Sequence, residues 1–66
     1  MILTINGTKR ELEGIRTVAD LLVELQLDRR QVVVELNEKI LRRDHVDEIE
    51  VGDRDVIEIL RFVGGG

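Results

Sequence analysis

The stretch V-I-E-I-L-R-F-V-G-G-G, Val56 to Gly66, reads as a strand followed by a segment that no strand can use. Val56, Ile57, Ile59, Leu60, Phe62 and Val63 are the side-chain types that fit a pleated surface. Gly64, Gly65 and Gly66 bring nothing to pack and lose the most entropy when ordered. The chain is therefore expected to leave a rigid strand as a flexible thread, which divides it into a domain over residues 1–63 and a glycine tail over 64–66. Alternation assigns the faces of the strand. Ile57, Ile59 and Arg61 share one face; Val56, Glu58, Leu60 and Phe62 share the other. Glu58 belongs in water, because burying an unpaired carboxylate is costly, and Arg61 is close enough to the tail to snorkel out. Ile57 and Ile59 thus go to the core, and Leu60 and Phe62 to an open face beside the tail. A strand buried on both faces, with Glu58 near its rim, is the competing reading, since apolar runs alone do not separate the two.

Working outward, the start of the chain supplies a partner for such a strand. Met1 to Ile5 alternates with Met1, Leu3 and Ile5 on one face. Asn6-Gly7 is the strongest two-residue hairpin signal, because a type I′ turn needs positive φ at both positions. A return strand over Thr8 to Glu13 then pairs Ile5 with Thr8, Leu3 with Arg10 and Met1 with Leu12. Arg10 opposite Leu3 is a mismatch, of the kind that guards an edge strand against aggregation; a longer loop with another register would also explain it. Gly14 breaks the strand, and T-V-A-D-L-L-V-E-L follows. Thr17 suits a helix cap and Asp20, at the third helical position, suits the helix dipole. Val18, Leu21, Leu22 and Leu25 fall at i, i+3, i+4 and i+7, one apolar stripe, opposite Asp20, Glu24 and Gln26.

The second half is a set of short pieces. Leu27 to Gln31 is a largely polar connection. Val32 to Leu36 is the clearest strand, with Val32, Val34 and Leu36 inward and Val33 and Glu35 outward. Asn37-Glu38-Lys39 reads as a turn and Ile40-Leu41 as a minor strand. Arg42 to Glu48 is charged, with room for a short helical turn; Ile49 to Val51 is a short strand or an extended link. Gly52-Asp53-Arg54-Asp55 turns into the final strand. One helix packed on one face of a mixed sheet, between two hairpin-like halves, is an α+β arrangement of the ubiquitin-like β-grasp type.

Composition narrows the function. A chain of 66 residues is one domain, and it buries only ~60% of its unfolded surface. It has no cysteine, so no thiol of its own serves as nucleophile, persulfide or metal ligand. That fits a reducing compartment. No apolar run approaches a membrane span, and no basic segment precedes the first apolar residues as in a signal peptide; a cytoplasmic location is expected. The net charge is −4 and Phe62 is the single aromatic, whereas nucleic-acid binding wants a basic face and stacking rings. His45 is the only histidine and is better read as a solvated surface residue than as a metal ligand. Asp53 and Asp55 lack the EF-hand spacing; turn chemistry accounts for Asp53. Asp47, Glu48 and Glu50 read as a solvated run, because acid/base work would need one of them shifted by its surroundings. No catalytic set emerges and no metal site; the chain reads as a substrate of enzymes rather than an enzyme.

The motifs I-L-T-I-N-G, T-V-A-D-L-L, V-V-V-E-L-N and G-D-R-D-V-I-E-I-L-R-F-V-G-G-G, spread over essentially the whole chain, resemble the ThiS family, the sulfur carriers of thiamine biosynthesis. The resemblance implies that Gly66 is adenylated by an E1-like adenylyltransferase (ThiF-like), which consumes ATP and magnesium, with no cofactor bound permanently to the carrier. A sulfur donor such as a cysteine desulfurase then supplies sulfur for a thiocarboxylate, which thiazole synthase (ThiG-like) uses to build the thiazole. The chemistry explains the residue type. A free terminal carboxylate, with a pKa of ~3.5, is ionised and a poor electrophile, so it must first become a mixed anhydride inside a partner's site. Gly64 and Gly65 would thread a narrow channel that side chains would block. Val33, Leu60 and Phe62 are expected to form an apolar patch that docks on the partner. The small subunit of molybdopterin synthase shares the fold and the Gly-Gly end, and is the alternative; a ubiquitin-like modifier or interaction module is a further one.

Overall fold

The computed structural model describes residues 1–62; the remaining positions, 63–66, lie outside the described residues. The domain boundary expected after 63 and the threading tail therefore fall beyond what the structure describes. The described chain runs as strands β1 (Ile2–Ile5) and β2 (Thr8–Glu11), helix α1 (Val18–Glu24), then β3 (Val32–Leu36), β4 (Lys39–Ile40) and β5 (Val56–Arg61). Two 3-10 turns, Arg29–Gln31 and Arg43–His45, lie in the connections. The strands form one mixed sheet in the order β2-β1-β5-β3-β4. The last strand thus sits at the centre, parallel to β1 and antiparallel to β3. A parallel pair needs a crossover, and α1 lies within it. This is the β-grasp arrangement, with the helix packed on one face of the sheet.

The first hairpin has the expected register. Ile5 pairs with Thr8 and Leu3 with Arg10, and at the open end the Leu12 amide donates to the Met1 carbonyl and the Met1 ammonium to the Leu12 carbonyl, both at 2.9 Å. Asn6 and Gly7 both take positive φ, 49° and 81°, as a type I′ turn requires. β2 is shorter than the expected return strand, ending at Glu11 rather than Glu13. Arg10 shares a face with buried Leu3, yet is itself exposed. β2 is an edge strand, where a long side chain can swing into water. A second tight turn, Asn37-Glu38 with φ of 50° and 74°, joins β3 to β4, so the minor strand begins at Lys39 rather than Ile40.

The helix start leaves no donor unmatched. An α-helix opens with four N–H groups that lack intrahelical partners. Here Val18 donates to the carbonyl of Ile49 (2.9 Å) and Ala19 to that of Val46 (3.0 Å). Asp20 donates to Thr17 Oγ1 (3.2 Å), and Leu21 donates to the Thr17 carbonyl (3.1 Å). The Asp20 carboxylate accepts in return from the Thr17 and Arg16 amides, both 3.0 Å, a capping box with aspartate in the third position. Residues 46–50 are therefore a platform for the helix as well as a link. Val46 is only 1% exposed, although it stands inside a charged segment, and Glu50 bridges Thr17 in the ladder sense.

The core lies between α1 and one sheet face. Val18, Leu21 and Leu22 from the helix meet Leu3 and Ile5 of β1, Val32 and Val34 of β3, and Ile57 and Ile59 of β5, with Leu12, Val46 and Val51 closing the ends. Leu25 is only partly buried. The helix stops one residue earlier, and Gln26 takes a positive φ of 59°. The open-face reading of β5 is the one the structure adopts. Its burial alternates from Val56 to Leu60, Ile57 and Ile59 inward and Val56, Glu58 and Leu60 outward, while Arg61 on the inward face is exposed at the strand end.

Candidate docking face and tail-bearing strand

The face of the sheet away from α1 is built in rows across β3 and β5. Pairing sets Val33 opposite Leu60 and Glu35 opposite Glu58. One step further, the Phe62 amide donates to the Gln31 carbonyl at 2.8 Å, which adds a Gln31–Phe62 row. Cross-strand neighbours share a face, so Val33, Leu60 and Phe62 stand together. Leu60 is 65% exposed and Phe62 45%, while Val33 is half-buried. The sequence reading missed a fourth apolar member. Ile40 pairs with Glu35 on the same face and is 72% exposed. Its signal was an isoleucine in a strand two residues long, where alternation has nothing to work with. Val56, 44% exposed, extends the apolar surface at the other end of β5. Glu35 and Glu58 lie between these groups, so the face is apolar at its sides and acidic in its middle.

β5 is held along both edges. On one side it runs against β3 from Leu36–Ile57 to Val32–Arg61. On the other, the Thr4 and Asn6 amides donate to the carbonyls of Asp55 (3.0 Å) and Ile57 (2.9 Å). Its entry is fixed by side chains: Asn37 Oδ1 accepts from the Val56 amide at 2.9 Å, and Asn37 Nδ2 donates to Asp55 Oδ1 at 3.1 Å. Turn chemistry alone does not account for Asp53. Its carboxylate accepts from the Ile2 amide at 2.6 Å, tying the turn to β1. Asp55 is the residue that closes the turn, accepting from Gly52 at 2.7 Å.

The charged end of the domain is paired locally. Arg29 donates two bonds to Asp47, 2.7 and 2.9 Å, joining the first 3-10 turn to the segment that follows the second. Asp47, Glu48 and Glu50 are all exposed, as a solvated run should be; Asp47 in addition pairs with Arg29, and the bond from Arg29 lowers its pKa. Arg30 bonds Asp28 through its side chain and, less strongly, its amide, which together hold the carboxyl down at about 2. Arg42 lowers Asp44 in the same way. Asp20 is lowered by the amides of Thr17 and then Arg16. His45 is exposed. Among the described residues no three His, Cys, Asp or Glu side chains gather as a metal would require, and no helix is long and apolar enough to cross a membrane. Gly64, Gly65 and Gly66, the residues expected to thread and react, lie outside the described residues.

Comparison with known proteins agrees with this architecture. The family model described as "ThiS family" matches residues 3–66. The sulfur carrier protein ThiS of Bacillus subtilis (strain 168) is 50% identical over 50 residues, 76% of each chain. A thiazole synthase of Paramagnetospirillum magneticum (strain ATCC 700264 / AMB-1) is 42% identical over 66 residues; these are the whole of this chain but only 20% of that protein. The crystal structure of the thiamine biosynthesis protein ThiS from Geobacter metallireducens superposes with a TM-score of 0.83 at 39% identity, covering 100% of both chains. An NMR solution structure of a thiamine biosynthesis protein from the same organism gives 0.81 at 39% identity, covering all of this chain and 88% of the other. With the β-grasp sheet, the central last strand and a family match that reaches Gly66, the chain belongs to the ThiS family.

Proposed function

We propose that this chain is the sulfur carrier of thiamine biosynthesis, acting as a protein cosubstrate and not as a catalyst. The observation that carries the reading is the family match running through the C-terminal glycines. The position of β5, the central strand whose end leads into them, supports it. The Gly66 carboxylate attacks the α-phosphate of ATP in the site of a ThiF-like adenylyltransferase, and pyrophosphate leaves. The terminal sulfur of a donor persulfide, such as that of a cysteine desulfurase, then adds at the acyl carbon and AMP leaves; a thiol cleaves the resulting acyl disulfide, releasing the thiocarboxylate and forming a disulfide with the donor sulfur. ATP and magnesium are consumed by the activating enzyme; the carrier keeps no cofactor. A ThiG-like thiazole synthase takes the sulfur, and the likeness of this chain to one segment of a thiazole synthase supports that partner. The reactions belong in the cytoplasm. The ThiS match favours this branch over molybdopterin synthase.

Val33, Leu60 and Phe62 dock on the activating enzyme. Contiguous exposed apolar groups on a small domain mark a binding surface. Leu60 lies on the strand that leads to Gly64, Gly65 and Gly66, Phe62 follows directly on it, and Val33 pairs beside Leu60, so docking aims the glycines into the partner's channel. Deleting Gly66 is expected to abolish ATP–pyrophosphate exchange with the cognate enzyme while thermal unfolding is unchanged. Retained exchange would refute the assignment. Intact-mass measurement of the protein from its native host should find sulfur in place of one oxygen; a ladder of protein conjugates would instead identify a modifier.

A further inference from the structure

We propose that Asn6 is a positioning residue for delivery of the C-terminal glycine, gripping β5 beyond the point where β1 ends; this rests on the carrier reading above. The β1 main chain pairs with β5 as far as Ile57, through Ile5 and the Asn6 amide. It then reverses at Asn6-Gly7 into β2. No β1 peptide group is left to meet Ile59, whose N–H and C=O are next on that edge. The Asn6 side chain takes the place of that peptide group. Its Oδ1 accepts from the Ile59 amide at 2.7 Å and its Nδ2 donates to the Ile59 carbonyl at 3.1 Å. Only one orientation of the amide satisfies both contacts, and an amide is the side-chain group that presents a donor and an acceptor side by side. One residue therefore has two tasks: a left-handed backbone for the hairpin and a two-point clamp on the last strand.

The clamp falls one residue before Leu60 and sets where the outer part of β5 points. With it, β5 is held on both edges through Ile59, and Leu60 and Phe62 stand beside Val33 as a ready surface. Without it, the outer part of the strand keeps only its β3 edge. Ordering that part must then be completed during docking, and binding carries the cost, as with any loss of preorganisation.

The test compares Asn6→Gly with Gly7→Ala. Glycine at 6 keeps the positive φ and removes the amide. Alanine at 7 must adopt a φ of 81°, which strains the turn although its added carbon meets no neighbour within 4 Å, and leaves the amide in place. Both are assayed as carriers in ATP–pyrophosphate exchange with the cognate activating enzyme, at a temperature where circular dichroism shows both folded. Asn6→Gly is expected to raise the KM for the carrier about tenfold with kcat within about twofold. Amide hydrogen exchange at Ile59 should quicken in the free protein. Gly7→Ala should lower the melting temperature and leave KM and Ile59 exchange as in wild type. An unchanged KM in Asn6→Gly, or an equal rise in both variants, overturns the positioning role. Absence of exchange with the wild-type chain overturns the carrier reading itself, and this proposal with it.

Discussion

Replacing Leu60 by alanine should separate docking from folding, with its neighbour Ile59 as the internal comparison. The two residues are adjacent on β5 and face opposite sides of the sheet: Leu60 is 65% exposed and Ile59 8%. Full burial of such a side chain is worth ~1.5–3 kcal/mol. Folding has covered about a third of Leu60, so its truncation should lower unfolding stability by only ~0.5–1 kcal/mol. The uncovered two thirds leave ~1–2 kcal/mol for a partner that seals it, a loss of about five- to thirtyfold in Kd. Ile59→Ala should show the reverse, costing ~2–5 kcal/mol of stability as buried large-to-small changes do, with affinity unchanged while the chain remains folded. Urea unfolding and titration calorimetry against the activating enzyme, on both variants, read the two quantities. A Leu60→Ala protein that binds like wild type would remove the open face from the interface.

Leu22→Ala should cost ~2–5 kcal/mol, read by urea unfolding, because Leu22 lies on the helix stripe facing the sheet and is almost fully buried; a change within ~0.5 kcal/mol would place it outside the core. Acid should weaken the fold through a definite set of carboxyls. Asp28 is held at about 2 against an ordinary 3.8, and Asp20, Asp44 and Asp47 are lowered too. A pKa depressed in the folded state contributes stability that is present above the unfolded value and is lost as pH falls through the folded one. Melting temperature should therefore fall from about pH 4 towards pH 2, and Asp28→Asn should make that slope shallower; an unchanged slope would show that the Arg30–Asp28 contact does not persist in solution.

Much of this molecule is local, and local features are legible in a sequence. Asn6-Gly7 dictates a I′ turn because few residues tolerate positive φ twice in succession, and the turn in turn fixes the register of β1 and β2. Thr17 and Asp20 mark the helix start through bonds that span three residues. One carboxylate, Glu58, on the opposite face is enough to send Ile57 and Ile59 to the core. The resemblance to a known family rests on stretches of this kind, and alternation within each strand places Val33, Leu60 and Phe62 outward. What the sequence could not contain is partnership between distant residues. Val46 sits in R-R-D-H-V-D-E with no period to declare it, and is buried because its carbonyl receives the Ala19 amide and the chain there closes over the end of the core. Asp47 reads as one more surface acid until folding brings Arg29 within 2.7 Å. Asn6 has a complete local explanation as a turn residue, and only the sheet, by placing Ile59 beside the end of β1, gives its side chain a second role. Turn and cap chemistry act over a few bonds and are written in adjacent letters; a contact between residues 6 and 59 exists only after loop closure has brought them together.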